Sequence, residues 1–558
     1  MFGLHAFGAA AFAELGDQQS IVASILAAED QIYLVEITVQ SGVDAGETPG
    51  GFSAFAFGEA PFSGSEGDPA TAGKTVIRLS DAPYITLPTD TPPNEYYSAR
   101  LAVPLSVSRR LMLSPLSPVD GAQAARIDIA DNDGSLTETI ATQSVDSQPV
   151  RVLVGPSGGA YSEFVTIFQA TGVQFESDEK IITVILRDNS YLLDVPVQPN
   201  KYAGTGTYEG TSDMEGLPKP LALGLLRSIT PRLFDPTNLI FQVNDGAVQA
   251  ISAVYDKAAA LTAQGDTGDL YAGSTTAGNF RTDLARGLFQ VGSLPAGAIT
   301  ADGQGDNTGG YVSTVAEIAL RLIRDKAGMS STYISGPSFS SLAVDVSGVA
   351  GIYLDEVITA RDVLTNLMRG IGAFWYCSRL GQITAKRLTE PVAANSVLSL
   401  TTINVLRLKK FPIPETVYPP TFRWTMNYQK CWTVQTGDLA ASVTATVRQF
   451  LGKEWRTNNA TDAAVSLKYP SAIDAGPVDS YLDVEADAHS AAASLLALHK
   501  ADRAMYEATV STIGLESEMG STVHLTWPSF GLESGQYFRA FPLRENLRDR
   551  LVTLILWG

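Results

Sequence analysis

The chain is poor in the residues on which most hydrolytic and metal chemistry rests. Its 558 residues include only four histidines, His5, His489, His499 and His524, and two cysteines, Cys377 and Cys431. Neither an HxxxH zinc pair nor a Ser-His-Asp set can be assembled from that inventory. The cysteines are too few for a disulfide framework and lie outside CxxC spacing, which predicts two reduced, buried thiols. Positive charge is scarce as well. With 39 Lys plus Arg against 59 Asp plus Glu, the net charge of −20 repels phosphate backbones and counts against sequence-specific nucleic-acid binding. Cations concentrate only at Leu408-Lys409-Lys410 and from Arg544 to Arg550, runs that read as a solvated face or the rim of an interface. Long apolar runs are missing too: Ile371 to Cys377 falls far short of the ~20 residues that cross a bilayer. The opening Met1-Phe2-Gly3-Leu4-His5 carries no basic region of a signal peptide. The expectation is a protein made in the cytoplasm with no membrane segment.

What remains is material for turns and strands. The 49 glycines and 29 prolines, set among Thr, Val, Tyr and Phe, favour many short strands over long helices. A chain of this length exceeds one hydrophobic core, so several domains are expected. The fold class read from this pattern is mainly β with a few helices, an α+β multidomain chain.

The segment 1–82 is read as an N-terminal arm or small domain. In it Ala6-Phe7-Gly8 returns as Ala56-Phe57-Gly58, and each copy carries a second aromatic five positions on, Phe12 and Phe62. Phe7, Phe12, Phe57 and Phe62 are candidate anchors on a neighbouring subunit, and equally two similar turns covering a sheet edge. Strands are expected at 32–39 and 75–79. The segment 83–235 reads as a first β-barrel with strands at 126–130, 150–154, 164–168 and 181–188, the first two joined by the hairpin signal Asp131-Asn132-Asp133-Gly134. Asp131 and Asp133 lack the longer ligand series of a calcium loop and are read as a plain turn.

Segment 236–415 is read as a mixed α/β region. Thr314-x-x-Glu317 is a capping box ahead of an apolar stripe at Val315, Ile318, Ala319, Leu322 and Ile323, and a second helix is expected from Thr359 to Arg369. Segment 416–558 is read as a C-terminal β-domain with one alanine-rich helix near 484–501, then four alternating strands at 508–512, 522–526, 537–541 and 551–557 that predict a meander. His489 and His499 are placed on the exposed face of that helix. Gly155 to Gly159 and Gly303-Gln304-Gly305 lack the Lys-Ser or Lys-Thr of a phosphate loop and are read as loops. No pair of carboxylates is singled out for glycosidase work. No catalytic, cofactor or metal residues are nominated, and the chain is read as a non-enzyme.

Several of these turns occur in a recognisable order. Tyr202-Ala203-Gly204-Thr205-Gly206-Thr207-Tyr208-Glu209-Gly210 runs on to Gly216-Leu217-Pro218-Lys219-Pro220. It follows Leu186-Arg187-Asp188 and precedes Leu239 to Gly246, Ala253-Val254-Tyr255-Asp256, Pro295 to Asp302 and the closing Val552 to Gly558. Over roughly residues 125 to 558 this series resembles tail proteins of Mu-like siphophages. The resemblance implies a hub of a phage tail tip or baseplate, with tail-tube-like β-barrels arranged in a ring around a channel for the genome. It implies a homotrimer, with a hexamer as the alternative. It also implies tail tube, tape measure, distal tail and tail-fibre proteins as partners, and a place in the virion. Rival readings are a distal tail ring protein, a host-surface adhesin and a peptidoglycan hydrolase.

Overall fold

The structure, a computed structural model, describes residues 30–41, 73–109 and 124–558. Seven main strands form its first part: β1 (Gln31–Ser41), β2 (Lys74–Ser80), β3 (Leu101–Ser108), β4 (Ala124–Ala130), β5 (Pro149–Pro156), β6 (Val165–Ser177) and β7 (Ile181–Arg187). They lie in the order β3-β4-β7-β6-β5-β1-β2. Strict alternation sends Val35, Ile37, Ile127, Val150, Val152 and Val184 to one face. These side chains share a core with Leu105 and Val107 of β3, so the sheet curls until its two ends touch one apolar interior. Among the described residues β2 and β3 exchange no ladder hydrogen bonds, so the expected barrel is a curled sheet that does not close.

The hairpin expected after residue 130 does not form. β4 pairs with β3 and β7, whereas β5 pairs with β1 and β6. The reason is local: Asp131 accepts from Leu136 N and Thr137 Oγ1, which leads the chain into a short helix, Thr137–Thr142, rather than back along β4. Asp133 is held by Arg100 through two bonds of 2.6 Å.

The middle of the chain builds a sandwich. β8 (Leu221–Ile229), β9 (Val248–Asp256), β10 (Ile299–Asp306) and β11 (Gly351–Leu354) lie in the order β9-β10-β8-β11. A second sheet from residues 232–291 packs on them through Phe241, Phe289, Ile251 and Val254. Gly303-Gln304-Gly305, read as a loop, sits inside β10. A Cβ at Gly303 would stand 2.5 Å from Ala250 O, and one at Gly305 2.4 Å from Ala222 O, so the glycines let neighbouring strands approach from both sides.

A helical layer covers this region. It comprises α1 (Val315–Arg321), α2 (Gly336–Asp345) and α3 (Ala360–Arg369). The capping box at the start of α1 is present, with Thr314 Oγ1 accepting from Glu317 N and Glu317 Oε2 accepting from Thr314 N. A hairpin follows α3, made of β12 (Ala373–Cys377) and β13 (Ile383–Arg387). Every residue of β12 is buried because the hairpin lies between two cores. Ala373, Trp375 and Cys377 face the helices, and Phe374 and Tyr376 face the C-terminal strands.

The C-terminal part includes β14 (Ser396–Leu400), β15 (Val405–Lys410), helix α4 (Glu485–His499), β16 (Met505–Ser511), β17 (Ser521–Leu525), β18 (Gln536–Asn546) and β19 (Leu551–Trp557), together with a separate three-stranded sheet from Thr421–Tyr428, Arg456–Thr461 and Ile473–Asp479. All four strands expected near the end of the chain are present. The last three run as a meander, but β16 lies beside β19 instead of β17, giving the order β16-β19-β18-β17 of a Greek key. A short 3₁₀ turn, Thr512–Glu516, occupies the connection where a tight hairpin would have been needed.

The first and last parts are one sheet. One edge of β18 pairs with β17 through Gln536–Ala540 and, further along, with β3, where Arg544, Glu545 and Asn546 meet Ser108, Val107 and Ser106.

Candidate functional site

Phe7, Phe12, Phe57 and Phe62 lie outside the described residues. Among the described residues no group of three or more His, Cys, Asp or Glu stands where it could hold a metal ion. Cys377 and Cys431 are buried and form no disulfide among the described residues, and burial pushes both thiols up, away from the reactive thiolate.

The histidines divide. His489 is exposed on α4, with Nδ1 at 2.9 Å from Asn458 Oδ1. His499, expected beside it on the exposed face, is 2% exposed and stacks between Trp424 and Trp557, with ring centroids at 5.2 and 5.4 Å. The last turn of α4 is covered on both sides by β-structure, which a helical wheel of α4 alone does not show. Burial, aided by the Arg503 charge, lowers its pKa to about 3, so the ring is neutral.

Two buried charge clusters stand out. In the first, Glu545 of β18 takes Arg379 through Nε at 3.0 Å and Nη2 at 2.7 Å, and also pairs with Arg109, which follows β3. Burial pushes this carboxyl up, but the two guanidinium charges and their hydrogen bonds outweigh it and hold the pKa at about 2. Arg379 also donates to the carbonyls of Leu515 and Ser517. This cluster fastens the β12–β13 turn to the joint between β3 and β18, a structural role.

The second cluster is cationic. A cleft of about 520 Å³ opens between α2, β13 and the strands β17 and β18. Lys386 and Arg387 of β13 and Arg539 of β18 line it, and its one lining carboxylate is the exposed Asp345 at the end of α2. Arg539 is 3% exposed and spends its donors on neutral oxygens: Thr389 O at 2.7 Å, Thr389 Oγ1 at 2.6 Å, Gly520 O at 3.0 Å and Glu390 O at 3.1 Å. Burial and the Arg503 charge lower its pKa to about 10. The Lys386 ammonium forms no hydrogen bond or ion pair among the described residues. Burial and the Arg539 charge, opposed by Glu518, lower it to about 8. Thr522, directly across the ladder from Arg539, is 1% exposed, and its Oγ1 has no partner among the described residues; nor does the buried Nη2 of Arg387.

Sequence reasoning nominated none of these side chains. Ile383-Thr384-Ala385-Lys386-Arg387 alternates as a half-exposed strand does, which assigns Lys386 to solvent. Only the packing of β17 and β18 over that face reveals the cleft.

No protein-family profile matches the chain, and no curated protein matches it. Among solved structures it is similar to the tail protein from Neisseria meningitidis MC58, at 10% identity and a TM-score of 0.34 over 83% of this chain and 92% of that one. It is also similar to the 43 kDa tail protein of prophage MuSo2 from Shewanella oneidensis, at 11% identity and a TM-score of 0.35 over 83% and 95%. A chain of the native gene transfer agent virion aligns at 13% identity and a TM-score of 0.39 over 62% and 84%.

Proposed function

We propose that this chain is a structural subunit of a phage-type tail, forming the central hub of the tail tip by assembling with copies of itself. The observation that carries the reading is the fusion of the curled N-terminal sheet and the C-terminal Greek-key strands into one sheet through β3 and β18, in a chain whose turn motifs resemble those of Mu-like siphophage tail proteins. A hub must transmit load between a tube and the parts beyond it. A continuous hydrogen-bonded sheet, pinned by the buried Glu545 cluster, suits that task better than domains on flexible linkers.

Three copies with two barrel-like units each would offer six similar positions to a sixfold tube, and that argument selects a homotrimer over a hexamer. Among the described residues β14 and β15 are each paired along one edge only, which makes them the natural contacts between copies, because an unpaired edge seeks a partner unless it is covered. In this reading Phe7, Phe12, Phe57 and Phe62 anchor a neighbouring copy. The remaining partners are the tail tube, tape measure, distal tail and tail-fibre proteins, and the ring surrounds a channel for the genome. A reconstruction of the tail tip tests the proposal. Three copies on the tail axis are expected; a position off the axis overturns the hub, and six copies overturn the trimer.

A further inference from the structure

A net charge of −20 makes an uncompensated cationic cleft an anomaly that calls for a physical reason. Three cations, Lys386, Arg387 and Arg539, share one cavity with a single exposed carboxylate, Asp345. Glu518, the other carboxylate acting on Lys386, is engaged by Arg379 at 3.4 Å. Arg539 is buried and Lys386 and Arg387 are half-buried, so each loses hydration, and a charge withdrawn from water without a counter-charge is costly unless something supplies one. The carbonyl and hydroxyl oxygens around Arg539 orient its guanidinium but do not neutralise it. Two buried polar atoms of the same cavity, Arg387 Nη2 and Thr522 Oγ1, also lack partners among the described residues. Buried polar groups without partners are uncommon in folded proteins, and these two line the same cavity as the three cations.

We propose that this cleft is a binding site for an oxyanion of the phosphate class. Lys386 supplies a point charge, Arg387 a guanidinium with a spare N–H, Thr522 a hydroxyl, and Arg539 a fixed positive field from the floor. The rest of the wall carries hydroxyl and amide groups, among them Ser338, Ser341, Thr384 and Asn395. A volume of about 520 Å³ exceeds what a bare phosphate fills and falls within the size of ordinary small-molecule pockets, so the phosphate of a sugar phosphate fits the same chemistry.

The experiment is a calorimetric titration of the full chain at neutral pH and constant ionic strength, with inorganic phosphate, glucose 6-phosphate and glucose as probes. Saturable binding of phosphate or of glucose 6-phosphate, with glucose inert, is expected. Tighter binding of glucose 6-phosphate assigns the site to a phosphorylated sugar, and equal binding assigns it to free phosphate. Lys386→Met and Arg387→Met should each weaken binding at least tenfold. Lys386→Met removes an unpaired charge and should fold; Thr522→Val, of nearly the same shape, is the second probe should Arg387→Met fail to fold, and should also weaken binding. No saturable binding of either phosphate compound at 10 mM overturns the proposal, as does binding that is unchanged in both Lys386→Met and Thr522→Val.

Discussion

The folded chain keeps the His499 imidazole neutral between Trp424 and Trp557, with a pKa near 3, while the unfolded chain titrates it near 6.5. Between those two values the unfolded state binds the extra proton, so this site subtracts stability as the pH falls from about 6.5 towards 3. His499→Phe keeps the aromatic stack and removes the proton. Its melting temperature should fall less than that of the parent between pH 6.5 and pH 4, and parallel pH–melting curves for the two proteins would reject this account. Glu545 behaves oppositely in kind: its depressed pKa supplies stability that is complete above about 4.5 and is lost as the pH falls through about 2. Removing one of its partners is a harsher test than acid. Arg379→Met strips Glu545 of two hydrogen bonds and a charge inside the protein and should cost about 3–5 kcal/mol in denaturant unfolding. Lys386→Met, which removes an unpaired cation nearby, should at neutral pH leave stability equal or higher. These residues were illegible in the sequence for one reason. Arg109 and Glu545 stand 436 positions apart, and Arg379 and Glu545 166, so no local spacing announces either pairing.

Elements were more legible than residues wherever a single element decides its own form. The Thr314 capping box, the stripe of α1 and the alanine face of α4 all follow from helical period and cap chemistry, and the alternation at 126–130 and 181–187 places Ile127, Ile129, Val184 and Leu186 in the core. Pairing was not legible. The Asp131–Gly134 turn has the composition of a hairpin, yet its oxygens serve Arg100 and a short helix. The strands of 505–557 have the spacing of a meander, yet β16 pairs with the edge of β19. Turn composition constrains the chain's next few residues, while strand order depends on which faces can be buried together.

The edge strands invite a test at this same scale. Ile403, 93% exposed in the turn between β14 and β15, and Leu406, 61% exposed on β15, stand beside Leu408-Lys409-Lys410, the stretch read as a solvated face or the rim of an interface. The double substitution Ile403→Asp and Leu406→Asp should change monomer stability by no more than about 1 kcal/mol, since exposed sites contribute little. It should abolish self-association in sedimentation velocity. Unaltered assembly would remove this edge from the interface.

For the molecule as a whole, the joint between β3 and β18 makes a strong statement about cooperativity. Two parts that share a sheet and an apolar interior should open together, so amide exchange in β4 and in β19 should report the same global free energy. Distinct values, with one half exchanging while the other is protected, would show that the seam is weaker than its hydrogen bonds indicate. Oligomerisation would add to both values equally, which is why the comparison is made between strands of one chain and not between preparations.

That seam also sets a timetable for synthesis. At ~5–20 residues per second, β3 leaves the ribosome long before β18 exists, so for tens of seconds the first half is a curled sheet whose outer strand has bare amides and carbonyls and no companion. A ribosome that stalls, or a message that is cut short, releases a fragment with its sticky margin uncovered. Full-length chains cover that margin themselves. Fragments ending before residue 536 should therefore gather in the insoluble fraction of the cell, while the complete chain stays in solution, and the cell's chaperones should be needed most by a half-made protein that contains every one of its first seven strands.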